Sequence, residues 1–363
     1  MPVASATDRR LAPRRSHLRN ATERRLAPCR SRAVVWPEPA GLASMAWWLW
    51  CKTCFMANPE IHFVISAPRS GSTWLTTALN QHPEIFATEH RLFGDFCEVW
   101  QNNDGTTSPR ITFDKYAQAF SVHYFYDALG MKRGEFLNAF EKSFANFLVG
   151  FATRRTDKKF VIDKITPYPG TAKLVVEKIR RLFPDSKIIQ LVRDGRDVLT
   201  SGTYDWLLKD AAGSDRYRYH VDQEEGFELK RFFDDAVIEK WASNWCETID
   251  AFREQKADAQ VRYESMKDDL PKEIARIVAA IGADPSGVAA ASGKVSFEQM
   301  TGRKEGDDSQ PTAKARKGIV GDWRNHFTVA DGELFDSICG TQLVGLGYEA
   351  DRSWVNGLPV VLK

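Results

Sequence analysis

Short, dense apolar runs recur along this chain and alternate with longer stretches in which apolar residues return every three or four positions. The runs at 61–66 (IHFVIS), 159–164, 187–192 and 260–263 have the length and β-branched content of buried strands. The stretches at 72–81, 110–152, 170–183, 196–210, 228–255 and 271–282 carry the helical period. Strands apolar on both faces need cover on both faces, so the pattern predicts a three-layer α/β fold with a central, mostly parallel sheet. Ligands of such sheets bind at the carboxyl ends of the strands, so the residues that follow each strand are the ones to inspect.

Patterning of this kind begins only after residue 55. Before it, ATDRRLAPRRS at 6–16 returns as ATERRLAPCRS at 21–31, identical at nine of eleven positions and without a strand or helix period. Residues 1–55 carry a net charge of +7, leaving −5 on 56–363 out of a total of +2. The expected organisation is a basic, disordered leader or misassigned start over 1–55, with Met56 as the natural beginning, and one domain over 56–363. A transit peptide is the other reading of so Arg-rich a leader. The acidic body argues against a nucleic-acid partner, whose affinity would come from phosphate neutralisation. The six cysteines, at 29, 51, 54, 97, 246 and 339, form neither a disulfide framework nor a set of metal ligands at finger spacing. No apolar run reaches 18 residues, so no stable membrane insertion is expected and the protein is read as soluble and cytoplasmic.

Three segments carry chemistry. The first strand runs into Ala67-Pro68-Arg69-Ser70-Gly71-Ser72-Thr73, followed by a helix beginning near Trp74. A strand, a Gly/Ser turn and a helix N-terminus present unpaired N–H groups and a positive dipole end to an anion. The nucleotide-loop pattern GxxxxGK[ST] is absent, which counts against a nucleotide kinase. Second, 187–192 leads into Arg193-Asp194-Gly195-Arg196-Asp197, and Ser201 follows Arg193 by eight residues, two helical turns on. A guanidinium and a hydroxyl together suit a phosphate monoester. Third, ARKGIVGDWRNHFT at 315–328 sets Arg316 and Lys317 beside Gly318, with Trp323 and Phe327 to pin the loop.

Together, and in this order, the three segments resemble the sulfotransferases that use 3′-phosphoadenosine 5′-phosphosulfate (PAPS) as donor and release 3′,5′-bisphosphoadenosine (PAP). PRSGSTW is similar to their P-loop-like 5′-phosphosulfate loop, LVRDGRDVLTS to their 3′-phosphate element and RKGIVGDWRNHFT to the C-terminal motif of the cytosolic branch. The resemblance implies that Arg69 faces the bridging oxygen of the donor, that Ser70, Gly71, Ser72 and Thr73 cradle the 5′-phosphate, and that Trp74 lies on the adenine. It assigns the 3′-phosphate to Arg193, Ser201, Arg316, Lys317 and Gly318, and the adenine surroundings to Tyr263 and Phe297. Val295 stands where the family often has Thr. No metal is implied.

The cytosolic branch takes its base from a His two residues after a Lys; here Lys164 is followed at that offset by Thr166. The segment LNQHPEI at 79–85, with Thr88-Glu89-His90 after it, resembles instead the bacterial and glycosaminoglycan branch, whose base is a Glu. The resemblance therefore points to Glu89 as base, with His90 as the alternative, and to Arg69 and Lys164 as the charges on the transferring group. The acceptor is a small molecule or a carbohydrate, of a kind the sequence does not specify. Arg324 to Glu333 resembles the KxxxTVxxxE dimer motif of the cytosolic branch and implies a homodimer. A non-catalytic nucleotide-binding protein of the same fold, or a nucleotide kinase, is the alternative function.

Overall fold

The computed structural model describes residues 58–89, 99–101, 107–109, 133–154, 156–206, 214–220, 222–311, 313 and 315–362. The chain separates into two units, Met1–Phe55 and Met56–Lys363, and the described residues all belong to the second.

The apolar runs form the strands of one five-stranded parallel sheet: β1 (Glu60–Ser66), β2 (Ile85–Thr88), β5 (Phe160–Ile165), β6 (Ile188–Val192) and β7 (Ala259–Arg262), in the order β2-β5-β1-β6-β7. A separate antiparallel pair joins β3 (Val99–Gln101) to β4 (Thr107–Pro109). On β1 the period-2 pleat is visible in the packing, because Ile61, Phe63 and Ile65 enter one core cluster and Val64 the other. The first cluster is closed by α3 (Ala172–Leu182), whose Val175, Val176, Ile179 and Leu182 recur at helical spacing. The second is closed by α1 (Ser72–Leu79) through Leu75, Ala78 and Leu79, and by α8 (Leu270–Ile281) through Ile274, Ile277, Val278 and Ile281.

The other helices are α2 (Arg133–Thr153), α4 (Gly195–Trp206), α5 (Asp215–His220), α6 (Asp235–Asp250), α7 (Tyr263–Asp268), α9 (Val288–Ser292), α10 (Phe297–Thr301) and α11 (Val329–Gly345). A third cluster joins α4, α6 and α11 around Trp245, Phe327 and Phe335.

The order of the strands decides where a ligand can sit. From β1 the chain crosses to one side, and from β6, its hydrogen-bonded neighbour, it crosses to the other, so the loops after these two strands part above a crevice. Those loops are PRSG and RDG. Two expectations change. Residues 85–88 form a strand; at four residues it is too short for its period to stand out. Tyr263 opens helix α7 instead of ending β7. In the stretch 110–152, the described part, from Arg133 on, is helical as expected, and 110–132 lie outside the described residues.

Candidate functional site

A cavity of about 600 Å³ opens at this crevice, and fourteen of the fifteen residues expected at the site line it: Arg69, Gly71 to Trp74, Glu89, Lys164, Arg193, Ser201, Tyr263, Phe297 and Arg316 to Gly318. The fifteenth, Ser70, is buried outside the lining. Its hydroxyl has no hydrogen-bond partner among the described residues.

The turn after β1 is shaped by backbone conformation. Arg69 has φ 66° and Gly71, the N-cap of α1, has φ 85°. A left-handed conformation costs a non-glycine residue about 1–2 kcal/mol, so Arg69 must be held there by its contacts. Its carbonyl accepts from Arg193 Nη1 at 3.0 Å, its Nε donates to Ser201 Oγ at 3.2 Å, and its Nη1 meets Asp205 Oδ1 at 3.0 Å. A Cβ on Gly71 would lie 2.4 Å from Tyr263 Cδ2, so glycine is what lets the loop press against the ring. Gly318 does the same on the opposite wall, with φ 67° and a would-be Cβ 2.3 Å from Phe297 Cδ2. Trp74 completes the aromatic lining edge-on to Tyr263 at 5.8 Å, and its Nε1 donates to Val295 O at 2.7 Å. Position 295 thus contributes through its carbonyl, which no choice of side chain removes.

Three guanidinium groups gather here. Burial, aided by the neighbouring Arg193 and Arg316, pulls Arg69 below the ordinary arginine pKa, while Asp205 opposes the shift. Crowding like charges in a partly buried place is unfavourable unless anions answer them. Some answers come from the protein. Arg316 pairs with Asp308 at 3.0 Å and with Asp322, and Lys317 with Asp308 at 2.9 Å and Asp322 at 3.3 Å. Asp322 lies well below the usual carboxylate range: burial opposes the shift, but His326 and Arg316 outweigh it. Arg193 spends its fork on the carbonyls of Arg69 and Ile319, at 3.0 and 3.2 Å, and lies 4.3 Å from the Tyr263 ring centre. The buried Nε atoms of Arg193 and Arg316 have no hydrogen-bond partner among the described residues.

One expected pairing is different: Ser201 meets Arg69 and not Arg193, because α4 carries the hydroxyl toward the first loop. Arg316 and Lys317 also face carboxylates, Asp308 and Asp322, that sequence reading did not name among the site residues. Asp197 was also overlooked. Burial raises its pKa, while it accepts from the N–H groups of Gly321 and Trp323 at 2.8 and 3.0 Å and so ties the third motif to the second. Its position four residues after Arg193, one turn along a helix, was the available signal.

Glu89 follows β2, whose last residue Thr88 pairs in register with Asp163, next to Lys164. The turn that delivers it is locked. Asn80 bonds both the N–H and the carbonyl of Ala87, at 2.8 and 2.6 Å. His82 Nδ1 accepts from Glu84 N, so its Nε2 is the donor to Asp284 O at 2.9 Å. Thus NQHP is the scaffold of the turn, and Glu89 is the polar end it presents. Both carboxylate oxygens accept hydroxyl protons from α1: Oε2 from Thr73 at 3.1 Å and Oε1 from Thr76 at 2.8 Å. His90 lies outside the described residues. Among the described residues no group of three His, Cys, Asp or Glu side chains could hold a metal ion, and no helix is long and apolar enough to cross a membrane.

The sulfotransferase domain family matches residues 59–347. Sulfotransferase 2A1 of Homo sapiens is 30% identical over 188 residues, 47% of this chain and 62% of that protein. Sulfotransferase 2B1 of Mus musculus is 28% identical over 204 residues, 51% of this chain and 57% of that protein, so the chain spans under two thirds of these two relatives. Sulfotransferase 1E1 of Bos taurus is 24% identical over 310 residues, covering 80% of this chain and 86% of its own length. Among solved structures, mouse sulfotransferase SULT7A1 complexed with PAP aligns over 80% of this chain and 86% of that one at 19% identity, with a TM-score of 0.44. The family match begins just before β1 and ends just after α11, enclosing all three segments that line the cavity, and on that match the chain belongs to the sulfotransferase domain family.

Proposed function

We infer that this protein transfers a sulfuryl group from PAPS to a hydroxyl or amine of a small-molecule or carbohydrate acceptor, with Glu89 as base. The observation that carries the reading is the convergence of Arg69, Arg193, Arg316 and Lys317 with Glu89 and Lys164 in one cavity walled by Trp74, Tyr263 and Phe297. The residues present suit the donor's parts. Two glycines allow close backbone approach, an aromatic wall suits a purine, and the gathered cations suit the phosphates at the 5′ and 3′ ends.

In this reading the N–H groups of Ser70 to Thr73 and the N-terminus of α1 hold the 5′-phosphate. Arg193, Arg316, Lys317 and the N–H of Gly318 receive the 3′-phosphate, which displaces Asp308 from the cations it now neutralises. Ser201 contributes from α4. Arg69 and Lys164 oppose the charge that gathers on the bridging and equatorial oxygens as the bond to sulfur breaks, the electrostatic contribution that is usually largest. Glu89 takes the proton of the acceptor as its oxygen or nitrogen bonds to sulfur, a role worth about 10² to 10⁴ in rate.

The test uses radiolabelled PAPS with a panel of acceptors: 2-naphthol, a hydroxysteroid, an alkyl amine and a glucosaminide. Label should move to at least one of them, and Glu89→Gln should lower that turnover by the same 10² to 10⁴ while PAP binding stays within about twofold. Binding of PAP with no transfer would favour the non-catalytic reading. Loss of turnover in His90→Asn but not in Glu89→Gln would move the base to His90. Residues 56–363 are the catalytic unit in this proposal, and the Arg324 to Glu333 segment its homodimer contact.

A further inference from the structure

The base of a proton transfer must be aimed as well as present, and among the contacts of Glu89 are two hydroxyls of α1 that differ in kind. Thr73 and Thr76 stand three residues apart on α1, on one face of the helix, and each gives its hydroxyl to one carboxylate oxygen. Thr73 also belongs to the phosphate loop and lines the cavity, whereas Thr76 is buried and outside its lining. A hydroxyl has one proton to donate. Once a phosphate oxygen claims the Thr73 proton, the contact to Glu89 Oε2 is surrendered.

Thr76 is under no such competition from the ligand. Its Oγ1 lies within reach of three acceptors, Glu89 Oε1 at 2.8 Å, Ser72 O at 3.0 Å and Thr73 O at 3.1 Å. The carboxylate is the shortest and the only charged one, and charge-assisted hydrogen bonds are roughly twice as strong as neutral ones. Thr73 O meanwhile accepts from Thr77 Oγ1 at 2.7 Å, so it does not depend on Thr76.

Resting on the reading of Glu89 as base, we propose that Thr76 is a positioning residue for sulfuryl transfer: it keeps Glu89 aimed at the acceptor when donor binding draws the Thr73 hydroxyl to the 5′-phosphate. One short helix then both seats the donor at its first turn and holds the base from the next position along the same face.

The proposal is tested on the full chain in two ways. In crystals of the PAP complex, Thr73 Oγ1 should lie on a 5′-phosphate oxygen and Thr76 Oγ1 should remain on Glu89; a Thr76 hydroxyl turned to Ser72 O, with Glu89 elsewhere, overturns it without any activity measurement. In kinetics with labelled PAPS, read as PAP release with water and with 2-naphthol as acceptors, Thr76→Val should lower kcat by about tenfold or more, a fraction of what a positioned base contributes. The KM for donor and the Kd for PAP should stay within about twofold, and Thr76→Ser should restore most of the loss. The double variant Thr76→Val, Glu89→Gln should be no slower than Glu89→Gln alone, because Thr76 acts only through the carboxylate. Additive losses would mark Thr76 as mere packing and overturn the proposal. Undiminished turnover in Glu89→Gln would overturn the base reading itself, and with it this role.

Discussion

Arg193→Ala separates the loop contacts that the structure gives this side chain from the 3′-phosphate contact proposed for it. In the described contacts its guanidinium holds the carbonyls of Arg69 and Ile319 and stands 3.6 Å from Asp197. Hydrogen bonds from a charged group are worth about 1.5–3 kcal/mol each, and removing one partner of a buried pair costs about 3–5 kcal/mol because the other is left uncompensated. Asp197 keeps its two backbone donors and can take a proton, which relieves part of the loss. A destabilisation of about 3 kcal/mol is therefore expected, a fall in Tm of roughly 6 to 12 °C on the scaling for chains of a few hundred residues.

Loosening the loop at Arg69 should weaken every nucleotide. Losing the 3′-phosphate contact should weaken only PAP. The decisive quantity is thus the difference between the two losses: PAP should lose about 1.5–3 kcal/mol more than adenosine 5′-phosphate, roughly ten- to a hundredfold in Kd. Calorimetric titration of both ligands and scanning calorimetry of the free proteins measure all three numbers. Arg193→Lys, which keeps the charge and loses the fork, should fall between. Equal losses for the two ligands would refute the 3′-phosphate assignment, and an unchanged Tm would refute the load placed on the two carbonyl bonds.

Gly71→Ala should abolish measurable PAP binding and lower stability by more than the about 1–2 kcal/mol of a left-handed alanine, since its Cβ must also push the buried Tyr263 ring from 2.4 Å; urea unfolding and titration check both. His62 is lowered from 6.5 to about 4, mainly by burial and then by Lys187, with Asp258 opposing. Its unfolded form therefore binds more protons between these values, so its contribution is complete only well above pH 6.5 and shrinks as pH falls toward 4, by about 1.4 kcal/mol at pH 5.5. His62→Gln should flatten the urea midpoint against pH over that range, and an unchanged slope would count against it. Light scattering at micromolar concentration should give twice the chain mass, with Val329→Glu returning the monomer.

Much of the architecture was readable in one dimension because its causes are local. IHFVIS can only be a strand covered on both faces, and α3 displays Val175, Val176, Ile179 and Leu182 at a spacing no other element tolerates. The segments that line the cavity were readable because glycine, hydroxyl and guanidinium groups crowd into short turns after strands. Edge strand β2 was not, since four residues carry too little period, and it acquires its register only by pairing with β5. What tertiary structure alone decided is the pairing of charges. Nothing in the spacing says that Arg69 meets Asp205 across 136 residues, that Asp308 answers both Arg316 and Lys317, or that the hydroxyls of Thr73 and Thr76 close on Glu89. Periodicity records which face a residue turns to the core; which partner it finds there depends on loop paths and strand order, and those are set by the sum of many distant contacts.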